Sequence, residues 1–96
     1  MSALWIAHVT VTDEENYMKY ARLATEAILA HGGAFLARGG RNIWMEGTPR
    51  ARNVVIRFPS VEAAEACYHS PGYQKALGFA RDASERDLMV VEELEG

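Results

Sequence analysis

From Leu4 to Thr12 almost every residue is apolar, β-branched or aromatic, and only His8 and two threonines interrupt the run. A strand there sets Trp5, Ala7, Val9 and Val11 on one face and Leu4, Ile6, His8 and Thr10 on the other. Thr12 and Glu15 have capping-box spacing, and Asp13-Glu14-Glu15 places negative charge where a helix N-terminus favours it. From Asn16 to His31, Tyr17, Tyr20, Ala21, Ala24, Ala27, Ile28 and His31 recur every three or four residues, so they form one helical face. Lys19, Arg22 and Glu26 fall on the solvent side, and Gly32-Gly33 stops the helix. A second strand runs from Ala34 to about Arg38, where Gly39-Gly40 permits a bulge or bend before Asn42–Glu46 resumes an extended course.

Gly47-Thr48-Pro49-Arg50 is a turn, and Arg52–Phe58 (RNVVIRF) is a third strand returning antiparallel to the second. Pro59 ends it. Ser60 is a good N-cap for Val61–His69, whose Ala63, Ala64, Cys67 and Tyr68 form a narrow apolar stripe. Ser70-Pro71 breaks and restarts the helix, and Gly72–Arg81 follows at a changed angle with Tyr73, Leu77 and Ala80 inward and Ala76 beside them. Asp82–Arg86 reads as polar, and Asp87–Glu93 carries the last strand before a short acidic end.

The order β, α, β, β, α, β predicts an α+β fold. It is a ferredoxin-like βαββαβ split sandwich, a four-stranded antiparallel sheet with both helices on one face and the second helix broken at Ser70-Pro71. The uncovered face of such a sheet turns polar in a monomer. Here LWIAHV, VVI and LMVV are apolar on both faces. Leaving such side chains in water forfeits ~1.5–3 kcal/mol each, so a homodimer with sheets packed face to face, a dimeric α/β barrel, is expected.

The 96 residues form one domain, 1–96, near the lower size limit for a self-sufficient core, which again favours a partner subunit. With 49% hydrophobic and 24% charged residues the chain belongs among globular proteins. A net charge of −3 without a basic block disfavours nucleic acid. Neither a membrane span nor a signal-peptide pattern is visible at the N-terminus, so the cytoplasm is the expected location. Cys67 stands alone, which excludes an internal disulfide and a multi-cysteine metal site and reads as a packed thiol.

Several strings carry a family likeness: Trp5-Ile6-Ala7, Thr12-Asp13 before Tyr17 and Tyr20, Gly32–Gly40 (GGAFLARGG), Glu46-Gly47, Phe58-Pro59-Ser60, and Ala64 with Tyr68–Tyr73 (YHSPGY). Over Leu4 to about Val91 the chain resembles the domain-of-unknown-function 1330 family (DUF1330), within the dimeric α/β-barrel superfamily. Cys67 departs from the resemblance, because the family more often has tryptophan beside the tyrosine. The resemblance implies the fold and a homodimer, with no settled activity. Relatives in the wider superfamily include cofactor-free monooxygenases of aromatic polyketides, muconolactone isomerases and haem-degrading enzymes, and some members only bind or assemble. Chemistry does not pass through fold likeness and has to be argued from a site.

A ligand position is expected between sheet and helices, where the break at Ser70-Pro71 leaves a concavity. His8, Arg38, Glu46 and Arg57 interrupt apolar strands there. His8 could move a proton, since imidazole titrates nearest neutrality, or could be a satisfied core histidine. Arg38 could clamp a carboxylate or enolate oxygen, with Glu46 orienting it, or pair with Glu46 structurally. Arg57 leans structural but is also a candidate for binding substrate, as are Tyr17, Trp44 and Tyr73, which could stack on a flat ligand. Tyr20 and Tyr68 read as core by default. Gly39-Gly40 lacks the strand-glycine-helix context of a nucleotide site. His31 and His69 end helices, so dipole capping explains them, and neither a metal nor a cofactor is expected. A haem reading finds no suitable ligand setting.

Two functions stay open. One is a homodimeric small-molecule protein acting as a cofactor-independent proton-transfer enzyme on a small carbonyl, phenolic or carboxylic compound. The other is a non-catalytic dimeric module.

Overall fold

The computed structural model describes residues 1–94, so the last two residues of the acidic end lie outside the described residues. The chain forms β1 (Ala3–Val11), α1 (Glu14–Ala30), β2 (Ala34–Arg38), β3 (Arg52–Phe58), α2 (Val61–His69), α3 (Pro71–Ala80) and β4 (Ser84–Glu92). The four strands make one antiparallel sheet in the order β2-β3-β1-β4. This is the ferredoxin-like split sandwich. Strand alternation sorts the side chains: Ala3, Trp5, Ala7 and Val9 of β1 with Val54, Ile56 and Phe58 of β3 are buried under the helices. Leu4, Ile6, Val55, Met89 and Val91 share the opposite, helix-free face. Among the described residues, no helix is long and apolar enough to cross a membrane.

The helix ends follow local chemistry. The cap of α1 is Asp13, whose Oδ1 accepts the Asn16 N–H at 3.2 Å, and not Thr12 as the capping-box spacing suggested. Thr12 is held outside the helix because its N–H donates to the Ala83 carbonyl at 2.8 Å. Ser70 serves both sides of the helix break: its Oγ donates to the Cys67 carbonyl at 2.7 Å and accepts the Tyr73 N–H at 3.2 Å. One hydroxyl therefore closes α2 and opens α3.

Two stretches depart from the expected pattern. The second half of the second strand is absent: Gly39 takes φ +69, and residues 39–51 run as irregular chain. Ile43 and Met45 of that segment are 73% and 85% exposed, and Trp44 alone of its large apolar residues is half-buried, against His8. The bulge falls earlier too, between Phe35 and Ala37. At the other end, β4 starts at Ser84 and not at Asp87, and its first inward residues are Ser84, paired with Val11, and Arg86, paired with Val9. The polar residues 84–86 extend the strand because both inward members have partners: Ser84 Oγ donates to the Ala80 carbonyl at 2.7 Å, and Arg86 donates to hydroxyls of the helices.

Gly33 marks the tightest point of the fold. A Cβ there would lie 2.5 Å from Ile28 Cγ2, 2.9 Å from the Ile28 carbonyl oxygen and 3.1 Å from Phe58. Gly33→Ala is expected to lower stability by ~1–3 kcal/mol, the usual cost of overpacking. Gly40→Ala, which meets nothing within 4 Å, should stay within about 0.5 kcal/mol of the parent in the same urea titration.

Candidate functional site

Between α1 and the inward face of the sheet lies a cavity of about 410 Å³. Apolar side chains from β1, α1, β2 and β3, among them Trp5, Ala24, Ile28, Phe35 and Ile56, form its walls, and Tyr17 and Tyr20 project into it from α1. It does not sit at the Ser70-Pro71 break. There Tyr73, wholly buried, closes the space, packing edge-on against Trp5 at 5.1 Å and Tyr20 at 5.9 Å.

Arg22 of α1, itself exposed, lines the cavity, and three strand arginines reach it: Arg38, Arg52 and Arg86. Strand register explains the convergence, for Arg52 and Arg86 flank Val9 on one inward row, and Arg38 pairs with Val54, which is also inward. Each guanidinium lies over an aromatic ring: Arg38 over Phe35 at 4.4 Å, Arg52 over Tyr17 at 5.6 Å and Arg86 over Tyr20 at 4.6 Å. Such stacking holds the planar group without neutralising it. Among the described residues, the salt bridges belong to Arg50 and Arg57 and to none of these three.

Arg86 is the most enclosed of them. Its Nη2 donates to the Tyr20 hydroxyl at 2.7 Å and to the Tyr73 hydroxyl at 3.1 Å, and the two hydroxyls are 2.8 Å apart. The Nε atoms of Arg52 and Arg86 are buried and unpartnered among the described residues. Burial pushes the Tyr20 phenol well above its ordinary value, reinforced by the neighbouring Tyr73 and opposed by Arg86. The Tyr73 phenol rises for the same first reason, burial. Both therefore stay neutral and act as hydrogen-bonding groups.

The expected site residues divide between the two faces of the sheet. Arg38 and Tyr17 line the cavity, and Tyr73 stands directly behind Tyr20. His8 projects from the helix-free face, where its Nδ1 is 2.6 Å from Asn53 Oδ1 and its ring meets Trp44 edge-on at 5.2 Å. Trp44 is in the 39–51 segment, tied by its indole N–H to the Arg50 carbonyl at 3.1 Å, and Glu46 is exposed in the same segment. Arg57 pairs with Glu93 at 2.7 Å. His8, Arg38 and Glu46 are thus not brought together around the cavity. Tyr20, Arg52 and Arg86 are the cavity residues that the sequence reading passed over. The alternation Arg52, Val54, Ile56, Phe58 carried a signal for one of them, since it puts Arg52 on the same inward face as the core residues.

The four-stranded antiparallel sheet with its helices on one face makes this a small ferredoxin-like protein. The sequence model of the family described as Domain of unknown function (DUF1330) matches residues 2–94, and the chain belongs to that family. No curated protein matches it. Among solved structures it is similar to RPA0582, a protein of unknown function from Rhodopseudomonas palustris, with TM-score 0.78 and 18% identity over 99% of this chain and 84% of that one. It is also similar to SnoaB, a cofactor-independent oxygenase from Streptomyces nogalater, with TM-score 0.70 and 9% identity over 99% and 95% of the two chains. A dimeric ferredoxin-like protein of unknown function from Jannaschia sp. CCS1 aligns with TM-score 0.68 and 11% identity over 95% and 99%. At these identities the likeness establishes the fold.

The raised phenols have a measurable consequence. Above about pH 10 tyrosines of the unfolded chain ionise, while Tyr20 and Tyr73 keep their protons in the folded state. The folded state then binds more protons, so the stability these phenols contribute is full below pH 10 and is lost as pH rises further. Urea unfolding at stepped alkaline pH should show that decline, and the Tyr20→Phe/Tyr73→Phe double variant should show a shallower one. Cys67, whose thiol burial pushes to about 11, should resist a thiol reagent at pH 8 until the chain unfolds.

Proposed function

We propose that this chain is a homodimeric small-molecule-binding protein whose ligand sits in the cavity between α1 and the sheet. The observation that carries the reading is a cavity of about 410 Å³ whose largely apolar walls carry four arginines, Arg22 from α1 and Arg38, Arg52 and Arg86 from the strands, with no carboxylate among the lining residues. A core that needed only packing would leave guanidinium groups at the surface and bury their stems. Small carbonyl, phenolic or carboxylic compounds suit the site, because each offers an oxygen to guanidinium and phenol donors.

The same donors suit the oxygen of an enolate, which is what a cofactor-independent proton-transfer enzyme of the monooxygenase or isomerase kind would stabilise. SnoaB, named above, is described as such an oxygenase. The lining residues include no Asp, Glu, His or Lys, so the base in that chemistry would be the ligand itself or solvent. Of the expected trio His8, Arg38 and Glu46, the proposal keeps Arg38 at the cavity. The absence of a base from the lining residues favours the second reading, a binding module without turnover.

Pairing through the helix-free face completes the proposal. Leu4, Ile6, Val55, Met89 and Val91 form a continuous apolar patch across β3, β1 and β4, with Met89 51% and Val91 41% exposed in the single chain. Covering them with a second copy recovers that burial, and similar structures are described as dimeric.

Sedimentation should give twice the chain mass, and Ile6→Asp should give the chain mass. Neutral 2-naphthol should shift the amide resonances of α1 and β3, and Ala21→Trp, which fills the cavity from its half-buried α1 wall, should abolish the shifts with the fold intact. Shifts confined to residues outside the cavity would sink the reading. Carbon–deuterium exchange into added phenols and oxo acids in heavy water, above the buffer rate, decides for the enzyme over the binding module.

A further inference from the structure

We infer that the cavity is built for a planar organic carboxylate, whose anionic oxygens lie between Arg52 and Arg86 and accept the hydroxyl proton of Tyr20. The inference rests on reading the cavity as a small-molecule site and names the chemistry of its occupant. Charge is the first argument. Arg52 and Arg86 stand on either side of Val9, on the inward row of three adjacent strands, and Arg38 joins them from β2. No acidic residue lines the cavity, and the partners of Arg86 are two neutral phenols. Arg52 and Arg86 are half-buried and Arg38 is exposed, and partly desolvated guanidinium groups without a carboxylate partner favour an anion beside them.

Proton accounting supplies the second argument. Arg86 has donors only, so both phenol oxygens accept from it. The Tyr73 side chain is wholly buried, and the remaining partner of its hydroxyl is Tyr20. A buried hydroxyl proton needs an acceptor, so Tyr73 donates to Tyr20. The Tyr20 oxygen then accepts twice, from Arg86 and from Tyr73, and its own O–H is left over. Tyr20 lines the cavity and Tyr73 does not, which directs the spare proton to the cavity. Beside it, the Nε–H groups of Arg52 and Arg86 also have no partner among the described residues.

Shape is the third. Trp5, Tyr17 and Phe35 present aromatic surface, and three guanidinium planes are already held on rings at 4.4 to 5.6 Å. Flat walls with an anion clamp at one end select a flat molecule with an acid at one end. A free phosphate would use the charges and leave the apolar walls unoccupied.

Calorimetric titration of the full chain with 2-naphthoate, 2-naphthamide and inorganic phosphate tests this. The naphthoate should bind at least about tenfold more tightly than the amide, the scale of one charge-assisted hydrogen bond. Arg52→Gln and Tyr20→Phe, each checked for folding by circular dichroism, should each weaken naphthoate about tenfold and weaken the amide, whose carbonyl oxygen carries no charge, by a smaller factor. Equal binding of acid and amide would overturn the carboxylate assignment while the cavity remains a small-molecule site. Phosphate competing at the concentration of naphthoate would overturn the planar part. Binding of none of the three would remove both the inference and the reading beneath it.

Discussion

The inward turn of Arg86 is the constraint on which the helical side of this fold depends. Strand β4 carries this half-buried residue under the helices, where its Nε is closed to solvent, and the chain answers with two phenols from two different helices. Tyr20 comes from α1 and Tyr73 from α3, and their hydroxyls meet at 2.8 Å. The helices are therefore fixed against each other by a polar contact as well as by packing, and both are fixed to the edge strand. Trp5 extends the arrangement into the core by standing edge-on to Tyr73. The cavity adjoins this network through Tyr20 and Arg86, and Tyr17, Arg38 and Arg52 also line it.

Neutral phenols are what make the arrangement an oriented donor set. Burial keeps both protonated, so Arg86 retains its full charge and the phenols relay hydrogen bonds without carrying charge of their own. A carboxylate in the place of either tyrosine would neutralise the guanidinium internally and leave the cavity no electrostatic preference. The described lining of the cavity holds four arginines and neither Asp, Glu, His nor Lys.

Much of the fold was legible because it is written in short-range patterns. The period-two run LWIAHVTV, the tyrosine–alanine face of α1, and the Ser60 and Ser70-Pro71 caps specify β1, α1 and the broken second helix. The site was less legible for two physical reasons. The first is that polarity misled: Asp82–Arg86 looks like a solvated loop, yet Arg86 is inward because residues distant in sequence, 20 and 73, supply its acceptors. The second is that residue type outweighed strand parity. His8 and Arg57 drew attention as polar residues in apolar strands, but their parity puts them on the helix-free face, whereas Arg52, at the start of RNVVIRF, shares the parity of Val54, Ile56 and Phe58. The expected extended stretch Asn42–Glu46 is irregular chain, and its apolar Ile43 and Met45 stay exposed.

That segment also joins the two faces of the sheet. It leaves the cavity side at Arg38, passes Gly39, whose N–H bonds the Asn53 carbonyl at 3.0 Å, and brings Trp44 against His8 on the helix-free face. Arg50 then crosses that face to Thr10 and Asp87 at 3.0 Å each. Gly39 needs its left-handed backbone for this path, and a side chain there would crowd the Arg52 guanidinium at 3.1 Å. The covering of one face and the mouth of the cavity on the other are thus set by one short length of chain. In a dimer paired through the helix-free face, the packing of Trp44 and the placement of Arg38 and Arg52 would be parts of the same structural problem.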